Sequence, residues 1–251
     1  MDKIYLSVVI PCFNEMVNLQ KGVLDKIDHF LSHEKFSYEV IIVDDGSTDE
    51  SIEFIEEFVK TNKKFKLIKN SHTGKAGAVT VGILASKGDY KLFTDMDQAT
   101  PIEEIDKLLP FIKDGYDIII GSRNSTRKGA PWTRAIMAKG MIFLRTIIVG
   151  IRGIQDTQCG FKLFNKKAAQ DLFEKIKELH NGFKQISGSS VTAGFDVELL
   201  YLAQKKGYKI KEVPVKWLYV ETRRVNPIGD SIKGFFDLIK IRRNDVKGKY
   251  K

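Results

Sequence analysis

The 251 residues carry 41 lysines and arginines against 32 aspartates and glutamates, a formal net charge of +9, with 43% hydrophobic and 29% charged residues. That balance excludes a disordered chain, is long enough to bury a full core, and is most simply one α/β domain with an appendage whose charge favours anionic partners. The two cysteines, Cys12 and Cys159, have no C-x-x-C spacing, which excludes a zinc module or disulfide framework and points to a reducing, cytoplasmic setting.

Met1 leads almost directly into a strand, so neither a signal peptide nor an N-terminal membrane helix is expected. Ile4 to Ile10, closed by Pro11, reads as a buried strand, and Asn14-Glu15 opens a helix to about Leu31. Tyr38 to Val43 is a second buried strand, ending in Asp44-Asp45-Gly46-Ser47-Thr48-Asp49-Glu50. Ser47 and Glu50 have the spacing of a capping box, which leaves Asp44 and Asp45 at a strand end with no capping duty. A helix carrying Ile52, Ile55, Phe58 and Val59 follows, then a short strand from Phe65 to Ile68. Gly74-Lys75-Ala76-Gly77-Ala78 opens the next helix. Its free N–H groups can face a phosphate, or its small residues can let the helix pack closely on a sheet.

Tyr90 to Thr94 reads as a strand. Thr100-Pro101-Ile102-Glu103 has the pattern of a helix start, with Thr at the cap and Pro at the first helical position. Asp95 and Asp97 lie between. They can be turn formers, but with Thr100 supplying the cap they also suit a pair of hard oxygen ligands for Mg²⁺ or Mn²⁺ carrying a diphosphate. With Tyr116 to Ile120 as a further strand, the alternation of strands and helices predicts a mostly parallel sheet with helices on both faces. Ligands collect at the carboxyl ends of such strands. Cys12 to Glu15, Asp44-Asp45, Asp95 to Gln98 and Gly121-Ser122-Arg123 all fall on that edge.

Beyond Arg123 the composition changes. Asn124 to Gly129 is a polar, basic loop. Thr133 to Ile151 is mostly apolar but too short and too charged to span a bilayer. On a helix, Arg134, Arg145 and Arg152 fall on nearly one stripe, which fits a buried helix or a membrane interface. Asp156 to Phe164 leads from a polar turn into a strand, and Lys166 to Ile176 is helical. Gln185 to Gly194, rich in Gly, Ser and Thr, is expected to be a mobile loop. A helix runs from Phe195 to Lys206, and Tyr208 to Trp217 forms a strand or pair of strands. The tail from Ile228 carries Ile232, Phe235, Phe236 and Ile239 on one face with Lys233, Lys240, Arg242 and Arg243 around it. Such a helix docks on the domain or lies on anionic lipid.

Three stretches resemble family 2 glycosyltransferases of the GT-A fold: Ser7-Val8-Val9-Ile10-Pro11-Cys12-Phe13-Asn14-Glu15, Val43-Asp44-Asp45-Gly46-Ser47-Thr48-Asp49 and the Asp-x-Asp of Asp95-Met96-Asp97. Asp156 to Phe164, Phe195 to Leu200, Glu212 to Trp217 and Arg224-Val225-Asn226-Pro227 resemble the dolichyl-phosphate β-glucosyltransferase branch. The related dolichyl-phosphate mannosyltransferase branch has the same plan. The resemblance implies an inverting transfer of a hexose from a nucleotide sugar to a polyprenyl or dolichyl phosphate. UDP-glucose is the expected donor, with GDP-mannose, or a soluble acceptor, as the alternatives.

It further implies a division into a nucleotide-sugar half (1–123), an acceptor half with an apolar interfacial helix (124–225) and a basic amphipathic tail (226–251). Asp97, with Asp95 and Gln98 near it, would hold the metal against the diphosphate. Asp44 or Asp45 would bind the base or ribose, Pro11, Phe13 and Glu15 would enclose the base, and Lys75 would serve the donor. Arg123 and Arg134 would hold the acceptor phosphate, although Arg123 has the alternative of pairing with a carboxylate. Asp196 and Glu198 would organise the pocket or a helix start. The expected location is the cytoplasmic face of a membrane, as a peripheral protein. The positive charge also suits nucleic acid, but no reader motif accompanies it and no nucleic-acid partner is expected.

Overall fold

The computed structural model describes residues 3–123, 140, 142–185, 193–218 and 227–250. Seven strands form one sheet: β1 (Leu6–Cys12), β2 (Tyr38–Asp44), β3 (Phe65–Lys69), β4 (Tyr90–Thr94), β5 (Ile118–Ser122), β6 (Phe161–Asn165) and β7 (Ile210–Pro214), in the order β3-β2-β1-β4-β6-β5-β7. All neighbouring strands run parallel except β6, which is antiparallel to both β4 and β5. The α/β expectation holds, while the antiparallel insertion of β6 between β4 and β5 was not expected from the chain order. β6 and β7, from the second half of the chain, complete the sheet begun by the first.

The helices are α1 (Met16–Leu19), α2 (Val23–Ser32), α3 (Ser51–Thr61), α4 (Gly74–Ala85), α5 (Leu109–Lys113), α6 (142–148), α7 (Lys166–Leu179), α8 (Ala193–Lys205) and α9 (Pro227–Val246), with a 3₁₀ turn at Ile102–Lys107. Successive strand residues point to opposite faces. Val8, Ile10, Val40 and Ile42 therefore pack with α2, Ile55 of α3 and the 3₁₀ turn. Val9, Ile41 and Val43 pack with α4 in a core continuous with α7, α8 and α9. Close approach matters on this second face: a Cβ on Gly82 would lie 2.3 Å from Val9 Cγ1.

Several expected boundaries moved, each for a local reason. β1 continues through Pro11 because its pairing with β4 ends at Val9, so the missing N–H costs no ladder bond on that side. The single helix expected from Asn14 is split, since Gly22 sits at φ +71° between α1 and α2. Thr100 caps nothing. The turn after it begins at Ile102 behind Pro101 without a side-chain cap, and the Thr100 hydroxyl is buried against Cys159 Sγ at 3.9 Å. Both cysteines are buried and unpaired.

Candidate active site

The carboxyl edge gathers the loops after β1, β2 and β4, and hydrogen bonds lock them together. Asn14, at φ +54°, donates its N–H to Ser47 Oγ at 2.9 Å and accepts from Thr48 N at 2.7 Å. Glu15 N donates to Ser51 Oγ and Met16 N to Asp49 Oδ2. The Ser47–Glu50 capping box does not form. α3 has no side-chain cap, and the serine's hydroxyl is used on Asn14 instead.

The two aspartates at the end of β2, expected to have no capping duty, both carry structural hydrogen bonds. Asp44 Oδ2 closes its own turn by accepting from Gly46 N and Ser47 N at 3.0 and 3.1 Å. Asp45 is wholly engaged at the start of α4, accepting from Thr73 N at 2.8 Å, Gly74 N at 2.7 Å and Asn70 Nδ2 at 2.7 Å. The first N–H of α4 is thereby taken by a carboxylate rather than left for a phosphate. Gly77 has a packing role, since a Cβ there would meet Thr73 Oγ1 at 2.1 Å. Asp44 Oδ1, by contrast, is buried and has no hydrogen-bond partner among the described residues.

Beside this turn, Phe13 stacks on His72 with ring centroids 4.4 Å apart and 15° between planes. His72 Nδ1 lies 2.7 Å from Asp45 O. Gly46 sits at φ +79°, and a Cβ there would stand only 3.1 Å from His72 Cβ. Phe13 was expected to face the base; His72 was missed, because a single histidine in the loop after β3 has no local signature. Pro11 and Glu15 flank the same loop, Glu15 accepting from Asn18 Nδ2 at 2.6 Å.

The Asp95–Gln98 loop follows β4. Asp97 Oδ1 accepts from Ala99 N at 3.0 Å, and Gln98, at φ +47°, donates from Nε2 to Asp95 O at 2.8 Å. Its Oε1 is buried without a partner among the described residues. Burial, and then the negative charge of Asp95, push the Asp97 carboxyl above its ordinary pKa. Lys75, in the first turn of α4, places Nζ 2.5 Å from Asp95 Oδ1. Burial works against its charge, but Asp95, Asp196 and Asp97 outweigh that and hold its pKa above the usual lysine value. Asp95 Oδ2 is seated directly over Gly160, where a Cβ would come within 2.0 Å of it. Leu218 N donates to Ala99 O at 2.7 Å, so the segment leaving β7 is tied to the same loop.

On the other side of the edge most charged groups are paired, although Arg145 Nε is buried without a hydrogen-bond partner among the described residues. Arg123 grips Asp156 through Nε at 2.7 Å and Nη2 at 2.9 Å, the carboxylate pairing that is one of its two sequence readings. Arg134 lies outside the described residues, as does 186–192 of the expected mobile loop. Lys162, fully buried, donates to Asp196 Oδ1 at 2.5 Å and to Cys159 O at 2.7 Å. Glu198 is held by His180 Nε2 at 2.7 Å and by the Tyr250 hydroxyl. Arg145, on the stripe that fitted a buried helix or a membrane interface, is buried: it donates to Thr157 Oγ1 at 2.8 Å and to Ile154 O at 2.5 Å. Asp156, Lys162 and Gly160 were not among the expected site residues. Their signal is present only as the strand-entry segment Asp156 to Phe164, and which residue meets Asp95 is a matter of tertiary pairing.

Among the described residues no group of three or more His, Cys, Asp or Glu side chains gathers as a metal cage. The donor set nevertheless fits a hard divalent cation. Asp95 and Asp97 are neighbouring carboxylates, burial and then the charge of Asp95 opposing ionisation of Asp97, and Gln98 Oε1 is a buried oxygen without a partner among the described residues. A cation with further oxygen ligands from a diphosphate suits such an incomplete shell.

Residues 7–173 match the model of glycosyl transferase family 2. Over the whole chain and 77% of the relative, 35% of residues are identical to a dolichyl-phosphate β-glucosyltransferase of Dictyostelium discoideum. The dolichyl-phosphate β-glucosyltransferase of Saccharomyces cerevisiae is likewise 35% identical, over the whole chain and 78% of its length. The fold is shared with glucosyl-3-phosphoglycerate synthase of Mycobacterium tuberculosis, solved with Mn²⁺, UDP and glucosyl-3-phosphoglycerate (TM-score 0.59, 17% identity, 96% of this chain and 80% of that one). The chain belongs to glycosyl transferase family 2 and is a glycosyltransferase of GT-A architecture.

Proposed function

We propose that this glycosyltransferase moves a hexose, preferably glucose from UDP-glucose, to the phosphate of a polyprenyl or dolichyl lipid, with inversion at the anomeric carbon. The observation that carries the reading is the open chemistry of the edge: a buried Asp44 Oδ1, without a partner among the described residues, beside the Phe13–His72 stack and in the same sheet edge as the Asp95–Asp97 carboxylates. Its relatives by name support the acceptor class.

In this reading Asp44 Oδ1 accepts a hydrogen bond from the base or ribose, and Phe13 covers the base. Asp45 acts indirectly, by fixing the start of α4. A Mg²⁺ or Mn²⁺ held by Asp97, with Asp95 and Gln98 beside it, would neutralise charge on the leaving nucleoside diphosphate. The acceptor phosphate is already ionised at neutral pH, so no strong general base is demanded. It needs a cation, and Arg123, anchored on Asp156, and Arg134 are the candidates. The division of labour follows, with 1–123 serving the donor, 124–225 the acceptor and 226–251 the surface.

The surface partner is a membrane, on its cytoplasmic face. Among the described residues no helix is long and apolar enough to cross one. Two helices offer a face to rest on it. Phe143 and Ile147 of α6 are exposed, as are Ile232, Phe235, Phe236, Ile239 and Val246 of α9, while Leu238 and Ile241 of α9 point into the core. An almost wholly apolar cleft of about 440 Å³ lies between the two helices, lined by Ile148, Ile239, Val246 and the stems of Arg242, Arg243 and Lys247. Each basic residue near an anionic surface contributes roughly 1 kcal/mol, alongside an apolar part that salt does not screen.

The test is a donor and acceptor screen of the purified protein with Mg²⁺ or Mn²⁺ and a short polyprenyl phosphate, the lipid product read by mass spectrometry. Glucosyl lipid formed from UDP-glucose is the expected product. Calorimetric binding of GDP-mannose clearly tighter than UDP-glucose would overturn the donor. Failure of the protein to bind anionic liposomes even at low salt would overturn the surface and favour a soluble acceptor.

A further inference from the structure

The site already contains a cation of its own. Lys75 Nζ stands 2.5 Å from Asp95 Oδ1, with the two side chains 28% and 37% exposed, while Asp95 Oδ2 is pressed over Gly160. Asp97 and Asp196 also act on Lys75 electrostatically, and Asp196 is held from behind by the buried Lys162. Three carboxylates and two ammonium groups leave this cluster with an excess of one negative charge. A divalent cation arriving alone would turn that into an excess of one positive charge, with an ammonium group already seated on one of its ligands. A diphosphate arriving with the cation restores the balance and offers Lys75 a new anionic partner. The lysine is suited to the exchange: its charge rides on a flexible four-carbon stem, and its partner sits at the half-open edge rather than in the core.

We propose that Lys75 is a partner-exchanging counter-ion, pairing with Asp95 in the free enzyme and passing to the donor's diphosphate when metal and nucleotide bind, so that metal binding is conditional on the nucleotide. The inference rests on the donor and metal reading given above. It adds an order to the binding: the metal enters as a complex with the nucleotide, and the bare metal is disfavoured. Lys75 is a positioning residue in the free enzyme and a ligand-binding one in the loaded state.

The two states predict effects of opposite sign from one substitution. Mn²⁺ affinity is measured by calorimetry and by the loss of the free-ion electron paramagnetic resonance signal, in the wild-type protein, Lys75→Met and Lys75→Arg, each with and without UDP or GDP. Wild type should bind Mn²⁺ weakly alone and at least tenfold more tightly with the nucleotide. Lys75→Met should bind Mn²⁺ alone roughly tenfold more tightly than wild type, the scale on which a neighbouring charge alters a carboxylate's affinity for a cation. The same variant should bind the nucleotide less tightly and lose most of the coupling, while Lys75→Arg keeps both. Unaltered thermal melting of the variants establishes that they fold. If Lys75→Met binds bare Mn²⁺ no better than wild type, the exchange is overturned while the donor reading stands. If wild type takes up no Mn²⁺ with either nucleotide, the donor and metal reading fails and the exchange falls with it.

Discussion

The two sides of the carboxyl edge handle charge in opposite ways. Around β5, β6 and α8, Arg123 is matched by Asp156, Lys162 by Asp196, and Glu198 by His180 and Tyr250. Around β2 and β4, Asp44 Oδ1 and Gln98 Oε1 are buried without partners among the described residues, and Asp97 accepts a backbone N–H from Ala99 beside the charge of Asp95. A buried polar group without a partner is costly. The groups left open around β2 and β4 are acceptor oxygens, whereas the one left open on the other side is a donor, Arg145 Nε. The proposed donor site rests on those open oxygens, with the Lys75–Asp95 pair as the matched charge beside them.

The comparison is broken most severely at Asp97. Asp97→Asn should lower turnover about 10³-fold, the scale for losing one preorganised electrostatic group, while thermal melting of the metal-free protein is undiminished. Near-wild-type turnover with unchanged metal dependence would remove Asp97 from the site. On the matched side the loss should appear in stability instead. Asp156→Asn leaves the largely buried Arg123 guanidinium without its carboxylate, and should cost about 3 kcal/mol in denaturant unfolding.

Gly160 tests whether the frame reaches the donor site. Gly160→Ala puts a methyl 2.0 Å from Asp95 Oδ2 in the present arrangement. Displacing that carboxylate by about an ångström should cost about 100-fold in turnover. Unaltered turnover would mean that Asp95 need not sit where it does.

The smallest effect expected is at Glu198. Burial opposes its charge, but the bonds from His180 and Tyr250 win and hold its pKa below the ordinary glutamate value. A carboxyl depressed on folding adds stability above its unfolded pKa and loses it as the pH falls through the folded one. Tyr250→Phe removes one of the two bonds and should cost about 1 kcal/mol at neutral pH. The difference from wild type should shrink as acid protonates Glu198, and a difference independent of pH would point to lost packing instead.

Much of this was legible in the residues because it depends on near neighbours. Apolar runs marked β1, β2, β4 and β5, strand-to-helix alternation implied parallel pairing, and that pairing alone brings the loops after Cys12, Asp44, Thr94 and Ser122 to one edge. The motifs at Asp44-Asp45 and Asp95-Met96-Asp97 were visible for the same reason. What the sequence could not decide was the partner of each polar group. Ser47 and Thr100 have the spacing of helix caps, yet Ser47 serves Asn14 and Thr100 lies against Cys159. Asp44 and Asp45 are adjacent and chemically identical, but one is spent on α4 and the other keeps an open oxygen. The stripe of Arg145 fitted a buried or an interfacial helix, and Arg145 is buried. These outcomes were set by the tertiary fold, because hydrogen bonds and ion pairs between residues 33 to 34 or more positions apart depend on which loops the sheet order makes adjacent. The insertion of antiparallel β6 between β4 and β5 made that choice here, carrying Gly160 to Asp95 and Lys162 to Asp196.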